Sequence, residues 1–331
     1  MAFLCSSGTF AADGSSPAAS GIEAQSRALS RASASVVGLR ALAVDDARSA
    51  ATLGRARQGS GVVIAGGDLV LTIGYLVLEA EQVQIVTDDE RKVPARVVGY
   101  DVATGFGLVQ ALAPLRIDPV PFGVASALSG HEPLMIVSGG EDGAVSIAQL
   151  VSRRPFAGYW EYHVEAALFT APARGDHSGA GLFNGRGELV GIGSLLVKDA
   201  QGPGAAQLSG NMFVPIDLLE QILPELRSRG SSNLSRRAWM GVNCVEAEGM
   251  VRVVRVNSDS PAEVAGLEPG DRIVRIDGTE VKALEVLWKT LWSGGAPERE
   301  VILDIVRRGQ PQTLKLQSVD RMKTLKSAQG I

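Results

Sequence analysis

The sequence predicts a mainly β chain in two folded parts, an all-β sandwich or barrel over residues 33–226 and a smaller module of strands and two helices over 238–318. Three observations carry this. Short Val/Ile/Leu runs separated by Gly, Asp and Pro turns fill the stretch from Ser33 to Val214, with no long helical period among them. Glycine makes up 39 of the 331 residues while only 5% are aromatic, a balance that favours strands and tight turns. The pattern then changes after a polar Arg/Ser/Gly stretch at 227–237, which reads as a linker.

Taken in order, Met1–Asp13 (MAFLCSSGTFAAD) joins a short apolar piece to small residues and an Ala-rich end, like the later half of a secretory signal without its basic start. Residues 14–32 are Ser/Ala/Gly-rich, so the whole of 1–32 is expected to be signal-like or flexible. Strands are expected at Ser35–Leu39, Gly61–Ile64, Leu69–Thr72, Val83–Val86, Val93–Val98, Gly107–Leu112, Leu134–Val137, Val145–Val151, Tyr162–Ala166, Glu188–Ser194 and Met212–Pro215. Leu218–Leu226 reads as a helical turn or two. In the second part, Met250–Val256 alternates as a strand, and Ser260-Pro261 starts a helix with serine as N-cap and proline at its first position. Asp277-Gly278 marks a tight turn, and Leu284, Leu287, Trp288 and Leu291 form the apolar face of a second helix, with Trp288 in the core and Trp292 at its rim. Val301–Arg307 and Thr313–Leu316 close the module, and 319–331 is expected to be a flexible tail.

Composition excludes several function classes. With 32 basic against 36 acidic residues there is no basic stripe for nucleic acid. No apolar run of about 18 residues exists to span a membrane. Cys5 and Cys244 lie far apart, and His131, His163 and His177 are scattered, so no zinc spacing is present and nothing calls for a metal or an organic cofactor. Both cysteines are expected to be free, or Cys5 to be absent from the mature chain.

Three motifs then fall in register. GSGVVIAGGDLVLT (Gly59–Thr72), VPARVVGYDVATGFGLVQ (Val93–Gln110) and DHSGAGLFNGRGELVGIGS (Asp176–Ser194) resemble the corresponding runs of HtrA/Deg-type trypsin-like serine proteases. The resemblance implies a trypsin-like double β-barrel and a nucleophile–base–orienter triad. The serine position falls on Ser178. The histidine position, in a run that here reads Leu71-Thr72-Ile73-Gly74-Tyr75-Leu76-Val77, falls on Tyr75, and the aspartate position falls on Gly105. The oxyanion-hole glycine two residues before the serine is Asp176, and the asparagine between them is His177. A serine hydroxyl is a weak nucleophile without an adjacent base. A phenol with a pKa of about 10 supplies none at neutral pH. His177 adjoins Ser178 on a turn and is expected to face the surface; Asp101 reads as a turn residue.

The run Ser260-Pro261-Ala262 through Gly266-Leu267-Glu268-Pro269-Gly270-Asp271 to Gly278 resembles a PDZ domain of the bacterial protease type. That resemblance implies a peptide groove beside the second helix, lined by Leu287 and Leu291. It also implies a carboxylate-binding loop at Trp239-Met240-Gly241-Val242, with Arg236 and Arg237 near it. The chain is therefore expected to be a periplasmic or exported HtrA-like protein with an incomplete triad. It would bind peptides or misfolded segments, including C-termini, as a chaperone, adaptor or regulator in protein quality control. Two other readings stay open: an active serine endopeptidase using Ser178 with a non-standard base, and a structural subunit in a mixed oligomer with paralogues. Family members trimerise through aromatics near the start of the protease domain, and none occurs here between Phe10 and Tyr75.

Overall fold

The computed structural model describes residues 17–326; Met1–Asp13, with Cys5, lies outside them. A helix α1 (Pro17–Ala34) leads into the first barrel, built from β1 (Val36–Ala43), then, after the short helix α2 (Ala50–Leu53), β2 (Ala56–Val63), β3 (Leu69–Ile73), β4 (Ala80–Val86), β5 (Lys92–Tyr100) and β6 (Phe106–Ala111). It closes in the order β1-β2-β3-β6-β5-β4. The second barrel, β7 (Pro133–Val137), β8 (Val145–Ala157), β9 (His163–Ala171), β10 (Gly181–Phe183), β11 (Leu189–Val197) and β12 (Gly210–Pro215), closes as β10-β11-β12-β9-β8-β7. Closure removes exposed sheet edges and lets the apolar positions of the short strands point inward. Val62, Leu71, Phe106 and Leu108 of the first barrel and Leu182, Phe183, Ile192 and Phe213 of the second join in one continuous core.

Helix α3 (Asp217–Arg229) follows, and then a module with its own core. Its elements are β13 (Ala238–Trp239), β14 (Val242–Ala247), β15 (Met250–Val256), α4 (Pro261–Val264), β16 (Arg272–Ile276), β17 (Thr279–Glu280), α5 (Leu284–Ser293), β18 (Glu300–Arg307), β19 (Gln310–Gln317) and β20 (Val319–Asp320). Ser260 caps α4, its Oγ accepting from Glu263 N–H with Pro261 at the first turn. Leu284, Leu287, Trp288 and Leu291 are the buried stripe of α5, and β18 buries Val301, Leu303 and Ile305 at period two. Trp288 is wholly buried and Trp292 half-buried, its Nε1 donating to Ala238 O.

Three segments differ from expectation. Within the stretch expected to be flexible before residue 33, the described part from Pro17 on is helical, because Leu29 and Ala32 pack on the barrel core. The expected linker 227–237 is not free: α3 runs to Arg229, Gly230 ends it in the left-handed conformation, and Ser232 and Ser235 are buried. The described part of the expected tail, residues 319–326, is ordered. β20 pairs with β13, Lys326 N–H donates to Glu79 Oε1, and its ammonium lies 2.6 Å from Asp46. β10 has no counterpart among the expected strands; three residues are too few to show a period. Among the described residues no helix is long and apolar enough to cross a membrane.

Candidate functional site

The structure brings Tyr75 and Ser178 together. Tyr75 sits on the single 3-10 turn after β3, and Ser178 on the loop between β9 and β10. The loops are tied: Ser60 N–H donates to Ser178 O at 2.8 Å, and Thr72 Oγ1 donates to Ser60 O at 2.6 Å. Tyr75 Oη lies 2.8 Å from both Ser178 Oγ and the Ser194 carbonyl. A carbonyl only accepts, so the phenol proton goes to Ser194 O and the Ser178 hydroxyl donates to the phenol oxygen. Burial pushes the Tyr75 phenol up to about 12, with the bond to Ser178 opposing this. It is neutral at physiological pH and has no proton-accepting power to offer the serine.

Arg57 holds the Tyr75 turn. Its buried guanidinium donates to the carbonyls of Tyr75, Leu78 and Gly54 at 2.9, 2.6 and 3.0 Å, and to Ser49 Oγ at 2.7 Å. Arg57→Ala strands these acceptors and is expected to cost about 2–4 kcal/mol, read as a lowered urea midpoint.

Gly105 stands beside this pair but is closed to a side chain. Its φ is +85°, and a Cβ there would lie 2.8 Å from Tyr162 Oη. That phenol is buried and donates to Thr104 O at 2.6 Å, so Tyr162 occupies the room an acidic side chain at 105 would need. Asp101 turns elsewhere. It is wholly buried, and its Oδ2 accepts from Thr104 N–H and Oγ1, both at 2.8 Å. Its Oδ1 accepts from Ser232 Oγ at 2.5 Å and from Ser235 Oγ. It is thus a turn residue and also the clamp that pins the segment after α3.

Asp176 pairs with Arg174 and accepts from Ser138 Oγ. The Arg174 bond, first, and the Ser138 bond hold its carboxyl down at about 2, so a full negative charge sits two residues from Ser178. His177 points away: its Nδ1 lies 3.1 Å from Arg174 O, and no hydrogen bond joins it to Ser178. His131 is exposed on a turn with φ +63°. His163 is buried with Nε2 3.6 Å from Glu285.

The second site is the loop Trp239-Met240-Gly241-Val242. Gly241 takes φ +88°, and a Cβ there would press on Ser260, so only glycine fits. Asn257 N–H and Ala262 N–H bond the carbonyls of Gly241 and Met240. The loop's own N–H groups converge on the Glu161 carboxylate: Met240 N at 3.1 Å, Gly241 N at 2.7 Å and Val242 N at 3.2 Å. Leu287 and Leu291, expected to line a groove, are wholly buried in the module's core; Trp288 of α5 instead bonds toward the barrels, its Nε1 donating to Gly158 O at 2.9 Å. Arg237 stacks on Trp292, and exposed Arg236 lies 3.8 Å from Asp320, so neither reaches the loop N–H groups.

Burial pushes Glu161 up to about 7 from its ordinary 4.5; Arg321 and the three N–H donors oppose this without cancelling it. Cys244 on β14, Tyr162 and Tyr100 on β5 are the other titratable groups around it. The folded chain therefore holds a proton here that the unfolded chain has released between about pH 4.5 and 7. Stability from this group is full below about pH 4.5 and is lost as pH rises through about 7, by on the order of 3 kcal/mol. Glu161→Gln is expected to flatten that part of the pH–stability profile, measured as urea midpoints.

His163, Glu165 and Glu285 lie close enough to hold a metal. The Lys289 ammonium, 2.9 Å from Glu165 and 2.7 Å from Glu285, already balances the two carboxylates. Sequence reading missed Arg57, Glu161 and Tyr162. One signal was there: Tyr159-Trp160-Glu161-Tyr162 packs three aromatics into four positions of an aromatic-poor chain.

A trypsin-like peptidase domain model matches residues 59–192, and a PDZ domain model matches residues 238–317. A probable periplasmic serine endoprotease DegP-like of Hahella chejuensis is 25% identical over 284 residues, covering 76% of this chain and 54% of its own length. The putative serine protease HhoA of Synechocystis is 28% identical over 290 residues, covering 80% and 71%. A DegP-like relative of Ectopseudomonas mendocina is 26% identical, covering 80% and 57%. The chain thus spans between about half and seven-tenths of the length of these relatives. Among solved structures, the HtrA-type protease AlgW with decapeptide aligns with a TM-score of 0.54 at 18% identity, over 90% of this chain and 98% of that one. The serine endoprotease from Yersinia pestis aligns at 0.53 and 20% identity, over 89% and 97%. These likenesses agree with the fold described above: two six-stranded barrels followed by a PDZ-like module.

Proposed function

We propose, from this HtrA-type pairing of a trypsin-like double barrel with a PDZ domain, that the chain binds peptide or misfolded-protein segments without hydrolysing them. It would serve as a chaperone, adaptor or regulator in protein quality control. The observation that carries the non-hydrolytic part is the contact of Ser178 Oγ with Tyr75 Oη at 2.8 Å. A neutral phenol, able only to accept a hydrogen bond from the serine hydroxyl, stands where a base would have to stand, and Gly105 with Tyr162 behind it leaves nothing to orient one. Losing the base alone costs on the order of 10⁶ in turnover in the related subtilisin mechanism. Asp176 also stands at the position of the oxyanion-hole glycine, and its carboxylate, already engaged by Arg174 and Ser138, offers a developing oxyanion no donor. The names of the curated relatives support an exported, periplasmic setting, and the PDZ match supports peptides as ligands.

The test is covalent labelling. A fluorophosphonate reacts with an activated serine and leaves an inert one untouched. Intact-mass measurement is expected to show unmodified protein after hours of incubation, while a trypsin control labels fully. Stoichiometric adduct formation on Ser178 would instead favour the endopeptidase reading.

A further inference from the structure

The tip of the β8–β9 hairpin makes the bonds that a bound peptide makes in a PDZ groove. On one side, Cys244 N–H of β14 donates to Tyr159 O at 2.6 Å, and Trp160 bridges antiparallel to Asn243. On the other side, Trp288 of α5 donates to Gly158 O, and Ala157 packs against the module's core. At the end of this short added strand, the Glu161 carboxylate receives the N–H groups of Met240, Gly241 and Val242. Strand addition beside a helix, finished by a carboxylate in a nest of backbone N–H groups, is the geometry of C-terminal peptide capture. Here a barrel loop supplies the strand and a side chain supplies the carboxylate.

On the reading of this groove as a peptide site, we propose that it is occupied in cis by Gly158–Glu161, with Glu161 standing in for a ligand's C-terminal carboxylate, so that a peptide binds only by displacing it. The expected ligand has the same chemistry: an extended segment that ends on a carboxylate. A tethered ligand acts at an effective concentration of about a millimolar. A cis segment with an intrinsic affinity of ~100 μM would then fill the groove about nine-tenths of the time, and its removal would tighten a competing peptide about tenfold.

The experiment compares the full chain with Glu161→Ala and with the near-isosteric Glu161→Gln, which guards against misfolding of the alanine variant. Two readouts are taken. Hydrogen exchange at Met240–Val242 is expected to be slow in the wild type, fast in Glu161→Ala and intermediate in Glu161→Gln. Fluorescence anisotropy uses a fluorescein-labelled synthetic hexapeptide with the sequence of Phe156–Glu161 and a free α-carboxylate. It is expected to bind Glu161→Ala about tenfold more tightly than the wild type. Equally fast exchange in wild type and variants, or equal affinities in all three, would overturn the proposal. Exchange released by the substitutions with no binding of the hexapeptide to any form would uphold the cis contact and count against the peptide-site reading itself.

Discussion

Replacing Tyr75 by histidine, alone or together with Gly105→Asp, restores no casein cleavage. The single variant places an imidazole near Ser178 but gives it no partner to fix its tautomer or stabilise its charged form. The double variant fails for a steric reason. An aspartate at 105 must adopt φ +85°, and its Cβ alone would lie 2.8 Å from Tyr162 Oη. The left-handed strain, the overpacking and a buried carboxylate facing a phenol together are expected to destabilise the fold by about 2–4 kcal/mol. Thermal unfolding should therefore show a modest drop in Tm in Tyr75→His, which gives up the phenol bonds to Ser178 and Ser194, and a clearly larger drop in the double variant. Tyr162→Ala carries a cavity cost of its own, so the test is a double-mutant cycle: the loss caused by Gly105→Asp should be smaller in the Tyr162→Ala background than in the wild type, which identifies the obstacle. Measurable turnover in Tyr75→His alone would show that neither Asp176 nor the missing orienting carboxylate prevents hydrolysis and that Tyr75 is the sole obstacle.

Asp101→Ala is the second substitution with a large expected effect. The carboxylate is wholly buried and collects Thr104 N–H, Thr104 Oγ1, Ser232 Oγ and Ser235 Oγ. Its removal leaves three buried hydroxyls short of a partner and unties the segment between the barrels and the PDZ domain. A cost of about 3–5 kcal/mol is expected, since hydrogen bonds to a charged group are worth roughly twice neutral ones. The readout beyond stability is limited proteolysis: trypsin should cut the Arg227–Arg237 stretch in Asp101→Ala and spare it in the wild type. Asp101→Asn keeps some acceptors and should fall between the two. Equal protection in all three would show that the segment is held by other contacts.

The parts of this architecture that local pattern encodes were legible in the sequence. Met250–Val256 forms a strand over the expected residues, because its alternation reports directly on one buried face. Ser260-Pro261 begins a helix, because capping is decided within four residues. The α5 stripe follows from spacing alone. The motif register brought Tyr75 to Ser178 although they lie 103 residues apart. What surrounds them was not legible. Tyr162 against Gly105, Glu161 against Met240–Val242, and Asp101 against Ser232 and Ser235 all join residues distant in the chain, and none leaves a periodicity. The ordering of residues 17–32 and 319–326 depends on docking to the barrels and to β13, which composition does not report. Polar, Ala- and Ser-rich stretches read as flexible until a partner surface is supplied.

Whether Ser178 hydrolyses peptides is tested most directly by degradation of casein by the wild type and Ser178→Ala between about pH 6 and 9, the range over which a catalytic base would titrate. The expected result is equal absence of cleavage in both proteins at every pH, beside a trypsin control that digests fully. Cleavage by the wild type that disappears in Ser178→Ala would contradict the proposed non-hydrolytic role.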